Sequence, residues 1–284
     1  MPPQSVHWPD DGTGSQTEHF RALHQGPGPL LLPNAWDRGS AALLTSLGFA
    51  AIATTSSGFA ATLGRLDGQV TRDEALGHAA DIAAATPLPV SADLENCFAD
   101  DPAGVAETVR LAAAAGLAGC SLEDFTGHED DPVYELGAAA ERVAAAAEAA
   151  HGGTAAGGRL VLTARAENYL HGRPDLKDTI SRLQAYQAAG ADVLYAPGLT
   201  RLEDIRQLLA SVDRPVNVLT MAGAPEVPEL AAAGVSRVSV GGAFAFAAYG
   251  ALADAAREFR ERGSYGFLAG ARVGRGAVQT AFAR

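Results

Sequence analysis

The stretch RLVLTARAE at residues 159–167 decides the fold, because it is a continuous apolar run that ends in charged residues and precedes a helical pattern. Seven other stretches share this design: LLLPNAW (30–36), FAAIATTS (49–56), PLPVSADLE (87–95), LAGCSLED (117–124), ADVLYAPG (191–198), RPVNVLT (214–220) and SRVSVGG (236–242). Strands that are apolar throughout are buried on both faces, as in parallel sheets. Eight of them, separated by Ala-rich helices, predict an α/β fold of the (β/α)8 TIM barrel type, with a doubly wound sheet as the less favoured alternative.

The sequence pattern divides the chain into three parts. Residues 1–15 are rich in Pro, Gly, Asp and Ser and are predicted to form a flexible tail. Residues 16–262 form the predicted barrel domain, whose last helix is expected at about 243–262. Residues 263–284 are a Gly-punctuated extension that we expect to pack on a neighbouring subunit. Two helix starts are marked by Thr71 with Glu74, a capping box, and by Asp101 before Pro102.

The composition excludes several classes of function. The 284 residues carry a net charge of −12, which argues against a nucleic-acid partner and against a basic membrane-binding patch. Two cysteines cannot form a disulfide framework, and neither a secretory signal nor a long apolar run is present, so we expect a soluble cytoplasmic protein. Lys177, the single lysine, opens a predicted helix away from any strand end, which excludes a Schiff-base aldolase.

Acidic residues cluster at the predicted strand ends, where barrel enzymes carry their active sites. Asp93, Glu95, Glu123 and Glu167 follow three neighbouring strands, with Arg165 among them. Crowded carboxylates repel one another unless a cation bridges them, and their oxygen atoms suit Mg²⁺ or Mn²⁺. In the alternative interpretation, Arg165 neutralises one or two of the acids and the others are solvated.

Small residues after the second strand form a second candidate feature. The backbone N–H groups of residues 54–58 (TTSSG) can face an anion, although an ordinary Ser/Thr turn is the simpler interpretation. Residues 59–70 then read as a long loop that could cover the site. We expect Gly241 and Gly242 to permit close packing rather than to bind phosphate, and His128 and His171 to lie at the surface.

The strand-end motifs, taken together and in order, resemble the isocitrate lyase/phosphoenolpyruvate mutase superfamily from about residue 20 to 260. The resemblance rests on LLLPNAWDRGSA, ATTSSGFAATLGRLDG, VSADLENCF, SLED, LTARAENYL, GADVLYAPG, RPVNVL and VSVGGA. It implies a barrel whose last helix is exchanged between subunits, giving homodimers or homotetramers. It also implies Mg²⁺, no organic cofactor, and a 2-oxo or 2-hydroxy acid that reacts through an enolpyruvate-like oxyanion.

The resemblance assigns roles residue by residue. Thr55, Ser56 and Ser57 match the loop that holds the substrate carboxylate and keto oxygen, and Asp67 matches the aspartate of a gating loop. Arg165 matches the arginine that clamps the substrate carboxylate, and Glu167 is the acid two residues on. The predicted metal ligands are Asp93, Glu95 and Glu123, and Glu123 is also counted with the catalytic residues Arg165, Asp67 and Glu167. Asn217, at the end of the seventh strand, completes the predicted substrate-binding residues.

Three departures from the family pattern limit the reaction. Ser91 stands where most members have the first metal-binding aspartate. Residues 125–131 (FTGHEDD) lack the cysteine and lysine that isocitrate-type lyases carry after the fourth strand, and residues 196–198 (APG) lack the histidine of phosphonomutases. The sequence therefore predicts a Mg²⁺-dependent C–C lyase or decarboxylase of a small 2-oxo or 2-hydroxy dicarboxylic acid. Two alternatives remain: a phosphonomutase or phosphonopyruvate hydrolase, and a non-catalytic barrel that has lost its metal site.

Overall fold

The computed structural model describes residues 15–152 and 159–283. Their nine strands are β1 (Leu30–Leu32), β2 (Asn34–Ala35), β3 (Ile52–Thr54), β4 (Val90–Asp93), β5 (Gly119–Glu123), β6 (Val161–Arg165), β7 (Val193–Tyr195), β8 (Val216–Leu219) and β9 (Arg237–Ser239). The helices before β6 are α1 (Gln16–Leu23), α2 (Arg38–Ser46), α3 (Ser56–Thr62), α4 (Arg72–Ala83), α5 (Pro102–Ala114) and α6 (Leu136–His151). Those after it are α7 (Leu176–Ala188), α8 (Leu202–Leu209), α9 (Val227–Ala233), α10 (Ala243–Arg262) and α11 (Leu268–Phe282).

The first predicted strand closes the barrel by splitting in two at Pro33. Its first half, β1, pairs in parallel with β9, and its second half, β2, pairs in parallel with β3. The Asn34 side chain spans this seam, because its Nδ2 donates to the Thr54 carbonyl (2.6 Å) and its Oδ1 accepts from the Gly241 N–H (2.9 Å). All the other strand pairs are parallel and sequential. The predicted (β/α)8 barrel is therefore confirmed.

The apolar core has two main parts, which follow from the two faces of the strands, and a small third cluster of Ala60, Val70 and Ala75. The larger part lies between the sheet and the surrounding helices and includes Ile82, Leu162 and Ile205, which are fully buried. The smaller part fills the barrel at the amino-terminal ends of the strands, where α1 inserts Phe20. A Cβ at Gly119 would come within 2.9 Å of the Phe20 ring, so only glycine lets α1 close this end of the barrel.

Several local predictions are confirmed. Thr71 and Glu74 form the capping box of α4, and Asp101 caps α5 with Pro102 in its first turn. The last predicted barrel helix is α10. The structure corrects one boundary, because Ser15 caps α1 instead of ending a tail; residues 1–14 of the predicted tail lie outside the described residues.

The chain after α10 differs from its description as a Gly-punctuated extension. It forms the helix α11, which lies against α2 with the Phe282 ring beside Gly39. Most apolar side chains of α10 and α11 are not buried. Ala245 is the one residue that α10 buries, and α11 buries none. Within residues 15–152 and 159–283, no helix has the length and apolar character needed to cross a bilayer.

Candidate active site

A cavity of about 230 Å³ opens at the carboxyl ends of the strands. Seven of the predicted site residues line it: Thr55, Ser56, Ser57, Asp67, Asp93, Arg165 and Asn217. The other three, Glu95, Glu123 and Glu167, are not among the lining residues. The strand-end positions therefore do form one site, but its acids are not equally accessible to a ligand.

Arg165, the last residue of β6, organises the acids around its guanidinium group. Its Nη1 lies 3.0 Å from Asp93, its Nη2 lies 3.2 Å from Glu123, and its Nε donates to Glu167 at 2.8 Å. Its side chain is 15% exposed and also contacts the cavity. Each nitrogen of the guanidinium group thus bonds a different carboxylate, which fixes the orientation of Arg165 at the cavity wall.

Three carboxylates surround the single positive charge of Arg165, so ionising all three of them costs free energy. Burial raises the pKa of Glu123 and the pKa of Glu167, while Arg165 opposes both shifts. The Glu167 backbone is held by Asp124, whose Oδ1 accepts its N–H at 2.7 Å. Asp124 is in turn anchored by Arg182 (3.1 Å) and by the Tyr186 hydroxyl. This buried network positions Glu167, and through it Arg165.

Asp93 joins two neighbouring parts of the site. One carboxylate oxygen accepts from Arg165, and from the Ser121 hydroxyl at 3.3 Å, while the other accepts from the Ser56 backbone N–H at 3.1 Å. The Asp93 N–H donates to Thr54 Oγ1 at 2.9 Å. Asp93 is thereby committed to protein partners on both carboxylate oxygens.

Glu95 is held in an unusual state. Its backbone adopts φ of 50°, a left-handed conformation that costs energy for a residue with a side chain. One of its carboxyl oxygens is buried without a hydrogen-bond partner. Burial, followed by repulsion from Asp93 and Asp67, raises the pKa of Glu95 to about 8. The surroundings of Glu95 therefore favour its protonated form.

These observations do not support the predicted Mg²⁺ or Mn²⁺ site. In the parts of the chain that the structure describes, no group of three acidic, His or Cys side chains is arranged to hold a metal ion. Asp93 and Glu123 bond Arg165, and Ser91 supplies only a hydroxyl group to the cavity. The residues present fit an arginine-centred site better than a metal site.

The segment after β3 is also partly different from its prediction. Thr55 caps α3, its Oγ1 accepting from the Gly58 N–H at 3.3 Å, so the predicted loop at 59–70 begins as helix. The Ser56 N–H, expected to face a ligand, bonds Asp93. Asp67 lies on the remaining exposed loop and lines the cavity, as a closing residue should. Desolvation, followed by repulsion from Asp93, raises its pKa.

The glycines and histidines follow their simpler interpretations. A Cβ at Gly242 would lie 2.5 Å from the Ser57 hydroxyl oxygen and 2.6 Å from the Phe246 ring, so this position needs glycine for packing. The His171 ring stacks on Phe125 with centroids 3.8 Å apart. His128 is exposed, and neither histidine lines the cavity.

Two cavity residues were not assigned from the sequence. Tyr195 ends β7 and is buried, with its ring centroid 5.0 Å from the Arg165 guanidinium carbon. Burial raises its pKa to about 12, so its hydroxyl keeps a proton. Arg237 begins β9 and is buried inside the barrel. The sequence marks Arg237 as a charged residue within an apolar strand. Because it stands at the start of that strand, a search of strand ends alone does not find it.

Known proteins are similar to this chain over most of its length. The family model described as "Phosphoenolpyruvate phosphomutase" matches residues 20–260. A crystal structure of a provisional lyase/mutase from Burkholderia cenocepacia J2315 is 54% identical, covers 89% of this chain and 90% of its own, and superposes with a TM-score of 0.85.

Two curated relatives extend the comparison. The uncharacterised protein Rv1998c of Mycobacterium tuberculosis (strain H37Rv) is 33% identical over 242 residues, which is 84% of this chain and 87% of the relative. The oxaloacetate decarboxylase of Chromohalobacter salexigens is 30% identical over 200 residues, which is 68% of this chain and 66% of the relative.

Proposed function

The chain belongs to the phosphoenolpyruvate phosphomutase family of the isocitrate lyase/phosphoenolpyruvate mutase superfamily, and on this premise we propose that it cleaves a C–C bond of a small 2-oxo or 2-hydroxy dicarboxylic acid. The family contains lyases and mutases, which supports an enzyme. The observation that carries the proposal is Arg165, fixed by three carboxylates yet in contact with the cavity.

For a 2-oxo dicarboxylate, the proposed reaction is a decarboxylation. The bond between C3 and the distal carboxyl carbon breaks, carbon dioxide leaves, and the electron pair moves to the C2 oxygen as an enolate. A proton is then added at C3. Arg165 would bind the C1 carboxylate and favour the negative charge of the enolate, since preorganised donors act strongly in a site that excludes water.

Tyr195 is our candidate for the proton donor, which the sequence did not identify. It lines the cavity and retains its proton at neutral pH. Asp67, on the exposed loop, would close over the bound acid and limit the access of water. The predicted Mg²⁺ dependence is not part of this proposal, because Asp93 and Glu123, two of the three acids that would hold the ion, are bonded to Arg165.

The cysteines argue against an isocitrate-type lyase. Such enzymes use a cysteine after the fourth strand as the acid, whereas Cys97 and Cys120 are buried and lie outside the cavity lining. Burial raises the pKa of both thiols. The substrate class is therefore better represented by oxaloacetate and the malates than by isocitrate.

A phosphonomutase is the second candidate, and the description of the matching family favours it. The experiment that separates the two incubates the protein with oxaloacetate, malates and phosphonopyruvate. Pyruvate and carbon dioxide detected by carbon NMR, above a protein-free control, support the lyase. A new phosphorus resonance from phosphonopyruvate supports the mutase or hydrolase, and no reaction with any acid supports a non-catalytic barrel.

We also propose that the protein is a homodimer or homotetramer. The last two helices leave large apolar side chains at the surface, including Phe246, Leu252, Phe259 and Val273, which are 51–72% exposed. Large exposed apolar side chains concentrated on two helices in this way are typical of a subunit interface. Sedimentation analysis tests this proposal, and a monomer at micromolar concentration would contradict it.

A further inference from the structure

The barrel holds a second buried arginine, which faces the same cavity as Arg165. Arg237 in β9 is 4% exposed. Its Nε donates to Asn217 Oδ1 at 2.9 Å, its Nη2 donates to Thr163 Oγ1 at 3.0 Å, and its Nη1 lies 3.3 Å from His24 Nε2. These bonds fix the guanidinium group between His24, at the end of α1, and the cavity.

None of these partners carries a negative charge. His24 Nδ1 lies 2.8 Å from the Phe20 carbonyl oxygen, so Nδ1 holds the proton and Nε2 accepts from Arg237. Burial and the adjacent Arg237 lower the pKa of His24 to about 3, which keeps its ring neutral. Within the described ranges, Arg237 forms no ion pair with any carboxylate.

An isolated buried charge is costly, because protein groups replace only part of its hydration. Burial lowers the pKa of Arg237 to about 10, so the side chain still carries its charge at pH 7. The cavity is the side from which a compensating charge can approach. On the cavity side, neutral donors and acceptors surround Arg237. Among them, Asn217 Nδ2 donates to Ser239 Oγ at 2.9 Å.

We propose that Arg237 is a second anion-binding residue of this cavity: it binds one end of a small dianionic carboxylic acid whose other end contacts Arg165. Two arginines then supply the positive charge, and the acid binds without a divalent metal ion. Ser91 supports this arrangement, since it adds a hydroxyl rather than a carboxylate to the cavity. A divalent cation would instead be repelled by Arg237. The choice of a dicarboxylic acid rests on the proposed function.

Calorimetry on the full-length protein tests the proposal, with oxalate as the dianion and pyruvate as the monoanion. In EDTA, oxalate should bind at least roughly 10-fold more tightly than pyruvate, because a second charge-assisted contact forms. Addition of Mg²⁺ should change the oxalate affinity by less than roughly threefold, since no metal contact is involved. Oxalate binding that appears only with Mg²⁺, or equal affinity for the two acids, would overturn the proposal.

Variants localise the effect. Arg237→Gln should weaken oxalate binding by roughly 10–100-fold, as expected for loss of hydrogen bonds to a charged group, and Arg237→Lys should weaken it less. Arg201→Gln is the matched control, because Arg201 is 71% exposed and does not line the cavity. Equal oxalate affinity in Arg237→Gln and wild type, or equal losses in Arg237→Gln and Arg201→Gln, would overturn the assignment.

The experiments remain decisive if Arg237→Gln does not fold, because the EDTA and pyruvate comparisons use the wild-type protein. They also separate this inference from the proposed function. Metal-independent oxalate binding without cleavage of any acid would contradict the proposed function alone. Cleavage that strictly requires Mg²⁺, with oxalate binding that also requires it, would contradict the inference alone.

Discussion

Arg165 and Arg237 are buried in one barrel and face one cavity, but their surroundings are opposite. Arg165, at the carboxyl end of β6, contacts three carboxylates. Arg237, deeper in the barrel, contacts an amide, a hydroxyl and a neutral imidazole. Arg165 is therefore oriented by the protein's own acids while it contacts the cavity, whereas Arg237 has no acid beside it within the described residues to offset its charge. Burial alone does not show how far a charge is offset; the identity of its partners does.

The largest expected effect is on stability, from Arg165→Gln. It leaves Asp93, Glu123 and Glu167 without their cation, and breaking a buried pair in this way costs about 3–5 kcal/mol. Urea denaturation at pH 7 measures the change in the free energy of unfolding. Arg165→Lys keeps the charge but not all three hydrogen bonds. Its free energy of unfolding should lie between those of Arg165→Gln and wild type. A glutamine variant as stable as wild type would remove the basis for treating Arg165 as a structural charge.

The second prediction concerns turnover. Tyr195→Phe keeps the ring beside Arg165 and removes the hydroxyl group, and loss of a general acid lowers turnover by roughly 100-fold. The melting temperature should change little. Tyr134→Phe is a suitable control, because that hydroxyl bonds Asp100 outside the cavity. If Tyr195→Phe and Tyr134→Phe turn over substrate equally fast, Tyr195 is not the proton donor.

The third prediction concerns the contribution of Glu95 to the pH dependence of stability. The folded state raises the pKa of Glu95 to about 8, so it binds a proton that the unfolded chain releases above its ordinary pKa. The free energy of unfolding should therefore fall as pH rises from about 5 to 8. Glu95→Gln imitates the protonated acid and should reduce this fall by on the order of 1 kcal/mol, allowing for partial solvent screening. Parallel stability curves for Glu95→Gln and wild type would show that Glu95 titrates normally.

The smallest expected effect is on stability, from Arg237→Met. Removal of the buried charge leaves no carboxylate without a partner, and relief of its desolvation cost offsets the hydrogen bonds lost at Asn217, His24 and Thr163, so the free energy of unfolding should change by less than about 1 kcal/mol. Denaturation alongside Arg165→Gln makes the contrast direct. A loss as large as that of Arg165→Gln would mean that Arg237 is a structural charge as well.

The sequence was sufficient for the barrel and for the position of the site. Continuous apolar runs report burial on both faces, and polar residues after them report strand ends, so Asp93 and Arg165 could be placed together before the structure was known. The sequence could not show which carboxylate bonds which cation. The hydrogen bond from the Ser56 N–H to Asp93 depends on side-chain geometry. The position of the Glu95 carboxyl group depends on the left-handed backbone of that residue.

Arg237 illustrates the other limit of the sequence. It begins β9 beside Asn217 of the neighbouring strand β8, and the pairing of β9 with β1 closes the barrel around it. A charged residue in an apolar strand is a signal of burial, but its hydrogen-bond partners come from three different elements. The metal prediction met the same limit, because the acids were grouped by strand ends before their bonds to Arg165 could be seen.

The most direct test of the account follows ¹³C-labelled oxaloacetate by NMR, with wild-type protein in EDTA and a protein-free sample as blank. Pyruvate and carbon dioxide should form at a rate well above the blank, and the excess rate should fall by roughly 100-fold in Tyr195→Phe, which keeps its stability. A rate equal to the blank, both in EDTA and after addition of Mg²⁺, would contradict it.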